Sequence, residues 1–560
     1  MGGVTCAALC CAVIVFAWNR SHGSTSVAPA HVSVVNVTST TQDGSSIVYQ
    51  NPYESPQELM QGIYDADNNV VPPDGLRIRG VIVPHHLVAT ESIASGIKML
   101  QHQKFKKILL LSPDHFFHCP TVLCTVDATY KTWFGDVHSS ADTLAALHSS
   151  KLVSDAPDLF KTEHGIYAVL PFIARYYPNI PVTPLVISQK IPWKANRQEL
   201  LDLIEKSVDD DTILIVSSDF SHYLSLTTAQ QMDEVTAETI FAKDLDGISN
   251  LKNPSQSDCP GCLWMMASLA DARGFYNPSI VLHTNSATIL KDPKIPTTTS
   301  HFSMVWYENA KLASTDLAVA GDVTVTRNSR VPKQPKVVTD WWAGDGLRFV
   351  NLEGPLGAKC VKQSAWYLFC NSVSLWTKMK DLATQWGYMN NHTMDRGVAG
   401  FVETPKLISD AGETPVGIEP WENGSVRLIA FTMFLNGVPE SGKMNIAGDE
   451  QKVLKSLQEK KPNELTVVLV HGGDEYHALL RDPDEKFLRS LIDAGADVVV
   501  LAHSHVVGDM EMYKGKPIFR GVGNFIFDQK DRIETSTTKM IRLRKAGESV
   551  EFETLVAREP

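Results

Sequence analysis

Imidazoles and carboxylates recur in this chain at one kind of place, the end of a short apolar run. In the first half, RGVIVPHH closes on His85 and His86, KILLLSPDH on His115, and TILIVSSDFSH on Asp219 and His222, while Glu163-His164 stands in a loop between such runs. In the second half, LAVAGD closes on Asp322, RFVNLE on Glu353, LTVVLVH on His471, and DVVVLAHSH on His503 and His505. Neutral imidazole and carboxylate are common ligands of first-row transition metals. A single histidine is more often an ordinary hydrogen-bonded residue than a ligand. Two sets at successive run ends point to two metal sites.

The elements that must position these groups are legible in the same runs. Short β-branched stretches bounded by turn residues read as buried strands of a parallel sheet. Ligands of open α/β sheets sit beyond the carboxyl ends of such strands. Amphipathic stretches at 92–102 and 197–208 alternate with the runs, the rhythm of βαβ units. The pattern resets near 310–315, and 560 residues are too many for one core. The expected organisation is a leader at 1–20, a tether at 21–75 and two α/β domains at 76–308 and 316–557. A formal net charge of −12 with no basic run argues against a nucleic-acid partner.

Residues 2–18 carry no charge and are followed by Asn19-Arg20. That run is slightly short for a spanning helix and slightly long for a secretory signal core. The expectation is a single amino-terminal membrane anchor with exported domains, or a cleaved signal and a secreted protein. Six cysteines beyond the leader fall into close pairs, 119/124, 259/262 and 360/370, as disulfide-stapled loops would. Cys259-Pro-Gly-Cys262 also reads as a redox pair or half a zinc site.

The first-half strings resemble the Memo family, called AmmeMemoRadiSam system protein B in prokaryotes and related to class III extradiol dioxygenases. VPHH stands for the family's PHxG, SPDHF for GPxH, EHGIYAVLPF for EHSLExQLPF and SSDFSHY for SSDxSH. The resemblance implies an α/β domain binding a transition metal, iron or copper, through His85 and His115. The family's third ligand is a cysteine before a helix, which falls on Cys259 with Cys262 as the fallback. His164, Asp219 and His222 are implied to line the pocket. This chain departs from the pattern in having His86 for a small residue, no acid in 165–169, and Pro260 after Cys259. A cysteine in place of a carboxylate argues against the 2-His-1-carboxylate site of a dioxygenase.

In the second half, a Gly-Asp at a strand end, a later strand-end acid, an Asn-His pair, a lone His and a His-x-His make up the ligand set of a binuclear metallophosphoesterase. The strings GDV, NLEGP, NNHTMDRG, HGGDEY and GNFIFDQ resemble the bacterial poly-gamma-glutamate capsule synthesis family of CapA type. That resemblance implies a calcineurin-like αββα sandwich. It implies Asp322, Glu353, Asn391, His471, His503 and His505 as ligands of manganese, zinc or iron, with Glu353 the bridge. His392 is implied as general acid, Asp395 and Glu475 as orienting or substrate-contacting groups, and Arg327 as facing an anionic substrate. Thr324 stands where many phosphoesterases have a histidine, which leaves one ion short of a ligand. The expected function is a metal-dependent hydrolase acting on poly-gamma-glutamate, a related anionic envelope polymer, or a phosphoester. The alternatives are a non-catalytic metal-binding assembly protein and a redox role for the first half.

Overall fold

The computed structural model describes residues 39–42, 46–53, 55–326, 334–344, 346–358, 360, 367–436 and 450–558. The first half is built on an eight-stranded sheet. Its centre is four parallel strands in the order Ile78–Val83, Thr212–Ser217, Lys107–Pro113 and Val182–Ile187. Side chains alternate across this sheet, as a strand requires. Val81, Val83, Ile108, Leu110 and Ile213 pack on one face with Ile93 and Ile97 of the helix Thr90–Lys98. Ile82, Leu109, Leu111, Leu214 and Val216 pack on the other with Leu200 and Ile204 of Arg197–Ser207 and with the helix Pro260–Ala272. Both faces are therefore apolar and covered, which is why these runs read as continuous hydrophobic segments. The strand Ser300–Tyr307 joins the edge antiparallel to Ile78–Val83, with Met304 opposite Ile82.

The second half has two sheets. One runs Thr414–Val416, Gln385–Gly387, Leu347–Leu352, Leu317–Val323, Thr537–Ala546 and Ser549–Arg558, with Asn524–Ile526 beside Leu317–Val323. The other runs Trp421–Glu422, Val426–Thr432, Leu465–His471, Val498–Ala502, Lys516–Phe519 and Met510–Tyr513. The period of two sorts their residues cleanly. Leu317, Val319 and Phe349 share a core with Leu428, Val467, Leu469 and Val500 of the facing sheet. Ala318, Ala320, Val350 and Leu352 turn outward onto Trp342 and Ile408 of flanking helices. Val468, Val470, Val499 and Leu501 turn outward onto Leu488 and Leu491 of the helix Asp482–Ala494. This is an αββα sandwich.

Among the described residues no helix is long and apolar enough to cross a membrane. The expected single membrane anchor is corrected on that finding. Residues 2–18 lie outside the described residues. All three cysteine pairs are disulfides: Cys119–Cys124, Cys259–Cys262 and Cys360–Cys370.

The two halves are joined by polar groups from each. Asp509 Oδ2 accepts the Ile280 N–H at 2.9 Å, Glu234 Oε1 accepts the N–H groups of Ala478 and Leu479, and Asp244 pairs with Arg558 at 2.9 Å. Glu238 meets Arg532 across the same seam. Burial pushes the Glu238 carboxyl up to about 7 in spite of that guanidinium. A carboxyl raised in this way keeps its proton in the folded chain after the unfolded chain has released it. Stability is therefore lost as pH rises from the ordinary glutamate value through the raised one. Glu238→Gln should remove that loss and gain on wild type by about 1–3 kcal/mol between roughly pH 4 and pH 8. Urea melts across that range test this, and parallel profiles for the two proteins would refute it.

Candidate metal centres

In the second half, the loop after Leu317–Val323 begins before the strand ends. The register breaks between Val319 and Asp322, and the bulge re-aims the Asp322 carboxylate. Gly321 makes this geometry passable, because a Cβ there would stand 1.9 Å from the Gly523 carbonyl oxygen. Asp322 accepts Asn351 Nδ2 at 2.7 Å and the His503 N–H at 3.2 Å. His505 Nδ1 lies 3.6 Å from Asp322 Oδ2, and its Nε2 lies 3.8 Å from Glu353 Oε1. These three residues, all buried, form one group able to hold an ion. Beside it, His471 Nε2 is 2.9 Å from Asn391 Oδ1 and 3.2 Å from His503 Nδ1. The backbones of His503 and His505 sit at φ +98° and +59°, strain of the kind that collects where side chains must converge.

The electrostatics fit a cation. Burial pushes Asp322 up to about 7, against its hydrogen bonds from Asn351 and His503. Burial, with His505 and His392 nearby, holds His503 down at about 3, and burial with the same neighbours and His503 holds His471 well below the usual imidazole range. The imidazoles are thus neutral donors, and the carboxylate lacks a compensating charge. A divalent ion answers both conditions.

His392 is placed differently. Its Nδ1 is 2.7 Å from Asp395 Oδ2, its ring stacks on Phe369 at 3.9 Å, and its Nε2 stands 3.7 Å from Glu353 Oε1. Asp395 also accepts the Phe369 N–H at 2.6 Å. The loop that delivers Phe369 is tied by Cys360–Cys370, and the adjoining Asn371 accepts from Thr324 and donates to the Glu353 carbonyl. Thr324, standing where many phosphoesterases have a histidine, is thereby a loop fastener. Glu475 is exposed and Arg327 lies outside the described residues. Asn351, Phe369, Asn371 and Asn524, which accepts from His505 Nδ1 at 2.9 Å, were not singled out in the sequence, because no run-end pattern marks them.

In the first half, His85, His115 and His164 come together at the carboxyl edge of the parallel strands, the His115 and His164 rings 3.9 Å apart. Ser217 Oγ donates to the Gly165 carbonyl, so it must accept from His85 Nδ1, 3.0 Å away. Glu163 likewise fixes the N–H of His115 on Nδ1 at 2.6 Å. Both rings therefore present Nε2 to the site, the carboxylate–histidine arrangement that orients metal ligands. Both Nε2 atoms face Asp258 Oδ2, at 3.0 Å from His85 and 3.5 Å from His115. Burial would lower His115, but Glu163 and Asp258 outweigh it and hold the ring up at about 10. Burial with the His115 and His85 charges brings His164 down to about 3.

The expected third ligand is corrected here. Cys259 and its fallback Cys262 are bonded to each other, and a disulfide sulfur has no thiolate to offer. The residue one position earlier, Asp258, occupies the place beside both imidazoles. The set is two histidines and a carboxylate after all. Asp219 lies deeper, accepting the His85 N–H at 3.1 Å, with His222 Nε2 at 3.7 Å from its Oδ2.

Residues 48–292 match the family model described as Memo-like protein, and residues 316–529 match the one described as bacterial capsule synthesis protein PGA_cap. The chain joins a Memo-like domain to a PGA_cap domain. Its second domain is similar to the PGA biosynthesis protein CapA of Bacillus subtilis (strain 168), 31% identical over 28% of this chain and 46% of that protein. It is also similar to the capsule biosynthesis protein CapA of Bacillus anthracis, 32% identical over 29% of this chain and 44% of that one. The chain thus spans about half the length of these relatives. Its Memo-like domain is similar to a MEMO1 family protein of Metallosphaera sedula, 24% identical over 39% of this chain and 75% of that one.

Two substitutions separate the alternatives for the Memo-like site. Cys259→Ser/Cys262→Ser should leave its metal content unchanged, whereas Asp258→Ala should lower it by about one ion per chain, as a missing ligand does. Metal analysis after equilibrium dialysis decides between them, and loss of metal in the cysteine variant with retention in Asp258→Ala would restore the thiolate. Gly321→Ala in the PGA_cap domain should cost about 1–3 kcal/mol by overpacking. An unchanged melting temperature would show that the two strands are not in contact.

Proposed function

We propose that the PGA_cap domain is a metal-dependent hydrolase acting on an anionic capsular polymer of the poly-gamma-glutamate type, or on a phosphoester. The observation that carries it is the buried Glu353 carboxylate, within 3.8 Å of His505 and 3.7 Å of His392. It thereby joins the Asp322–His505 group to the residue best placed for proton transfer. Asp322, Glu353 and His505 are proposed as ligands of one ion, and Asn391, His471 and His503, with Glu353 as bridge, as ligands of a second. Oxygen and nitrogen donors of this kind suit manganese, zinc or iron. Such ions supply Lewis acidity and a nucleophilic water near neutral pH. The protein's own contribution is at His392. Asp395 holds its Nδ1 proton, Phe369 excludes water from one ring face, and Nε2 is free to deliver a proton to the leaving group. The names of the CapA relatives support the capsule assignment.

A second reading is favoured by Thr324. With the usual histidine absent there, the metals of the PGA_cap domain would be structural, and the chain would serve polymer assembly without turnover. For the Memo-like domain the reading is a redox site. His85, His115 and Asp258 make the two-histidine, one-carboxylate set of non-haem iron, and copper is the alternative metal.

The first comparison to make is wild type against His392→Gln, on p-nitrophenyl phosphate and on poly-gamma-glutamate. Loss of a general acid predicts a fall in kcat of about 100-fold or more with metal content intact. Equal rates in the two proteins would remove His392 from the chemistry. A fully metallated wild type inert on both substrates would favour the assembly reading. For the Memo-like site, oxygen uptake by the anaerobically iron-loaded chain should disappear in Asp258→Ala, and uptake that persists would dismiss the site.

A further inference from the structure

We propose that the Memo-like domain holds a second divalent transition ion, bound by His86, Asp219 and His301, next to the site of His85, His115 and Asp258. The proposal rests on the first-domain metal reading only in sharing its sheet edge, and the experiment below separates the two. One nitrogen each from His86 and His301 and one oxygen from Asp219 lie within 4.8 Å of one another. His301 is fully buried and Asp219 nearly so.

The hydrogen bonds decide what these atoms can be doing. Ser286 Oγ lies 3.2 Å from His301 Nε2, 3.4 Å from the Thr299 carbonyl oxygen and 3.5 Å from His86 Nδ1, so that nitrogen of the His301 ring is already engaged. His301 Nδ1 is left without a hydrogen-bond partner, and it points at Asp219 Oδ1 from 3.5 Å. His222 repeats the arrangement. Its Nδ1 must donate to the Phe220 carbonyl at 2.6 Å, and its Nε2 faces Asp219 Oδ2 from 3.7 Å. A ring nitrogen's lone pair and a carboxylate oxygen repel unless a cation lies between them. A bound proton would draw the pair to about 2.8 Å as a charge-assisted hydrogen bond. Two donors each about 2.1 Å from one ion stand roughly 3.0–3.5 Å apart, as His301 Nδ1 and Asp219 Oδ1 do at 3.5 Å.

Asp219 thus turns Oδ1 toward His301, while Oδ2 faces His85 Nε2 from 3.6 Å. Its carboxylate spans the two sites and bridges two ions when both are bound. His86 also faces Ser286 Oγ at 3.5 Å and the His301 ring at 5.3 Å. The donor set, imidazole and carboxylate without sulfur, takes manganese, iron, cobalt or zinc in the divalent state.

The test uses the full chain carrying His503→Ala/His505→Ala, so that the PGA_cap site contributes least. After loading with manganese(II) and removal of excess, that protein should bind two ions per chain in the Memo-like domain. It should also show the exchange-coupled spectrum of neighbouring manganese ions. His86→Ala and His301→Gln should each lower the count by about one and convert the spectrum to that of isolated ions. His301→Gln keeps a donor for Ser286, and His86 is only half-buried, so loss of folding in one variant leaves the other to report. An unchanged count and spectrum in the folded variants would overturn the proposal. If His115→Ala leaves the count unchanged while His301→Gln lowers it, the first ion fails and the second stands.

Discussion

Carboxylates buried against the ring nitrogens of buried imidazoles are the constraint on which both halves of this protein depend. Asp322 and Glu353 in one half, and Asp219 and Asp258 in the other, are almost wholly withdrawn from water. An isolated buried carboxylate is too costly to keep ionised, so such groups neutralise or take a positive partner. For Asp322, Asp219 and Asp258, the ion-pair partners among the described residues are histidines. Their neighbours are imidazoles, each with a ring nitrogen engaged by another partner: Ser217, Glu163, the Phe220 carbonyl, Ser286 and Asn524. Groups of this kind are able to hold an ion.

The scaffold serves it by bringing strand ends to one edge. Parallel strands place successive loops side by side, so residues far apart in the chain meet within hydrogen-bond distance. Close backbone approach at Gly321 and Gly523 and the left-handed His503 and His505 show strain concentrated there. The disulfides tie the surrounding loops. Cys360–Cys370 secures the segment that stacks Phe369 on His392, and Cys259–Cys262 opens the helix Pro260–Ala272 directly after Asp258.

The two halves solve the same problem with different sheets and are sealed to each other by buried polar contacts. Glu234 caps the chain just after the HGGDEY segment of the PGA_cap domain, so the loop beyond His471 rests on the Memo-like half. A change at that seam has a direct structural route to the loop that follows a metal-site strand.

The sequence by itself determined the parallel strands and most of the residues that gather at their ends, while the sandwich entered only as what a family resemblance implied. Buried strands must be apolar and β-branched, and a polar residue ending such a run has only the sheet edge to occupy. That logic reached His85, His115, Asp219, Asp322, Glu353, His471, His503 and His505. Only the tertiary structure decided the rest. Asp258 was hidden beside a more conspicuous cysteine, and choosing between them required knowing that Cys259 is bonded to Cys262. His301 opens a strand instead of closing one. Because Ser300–Tyr307 runs antiparallel to Ile78–Val83, its beginning lies at the edge where the parallel strands end, level with His85. Strand direction is set by pairing between distant segments, and no local pattern along the chain carries it.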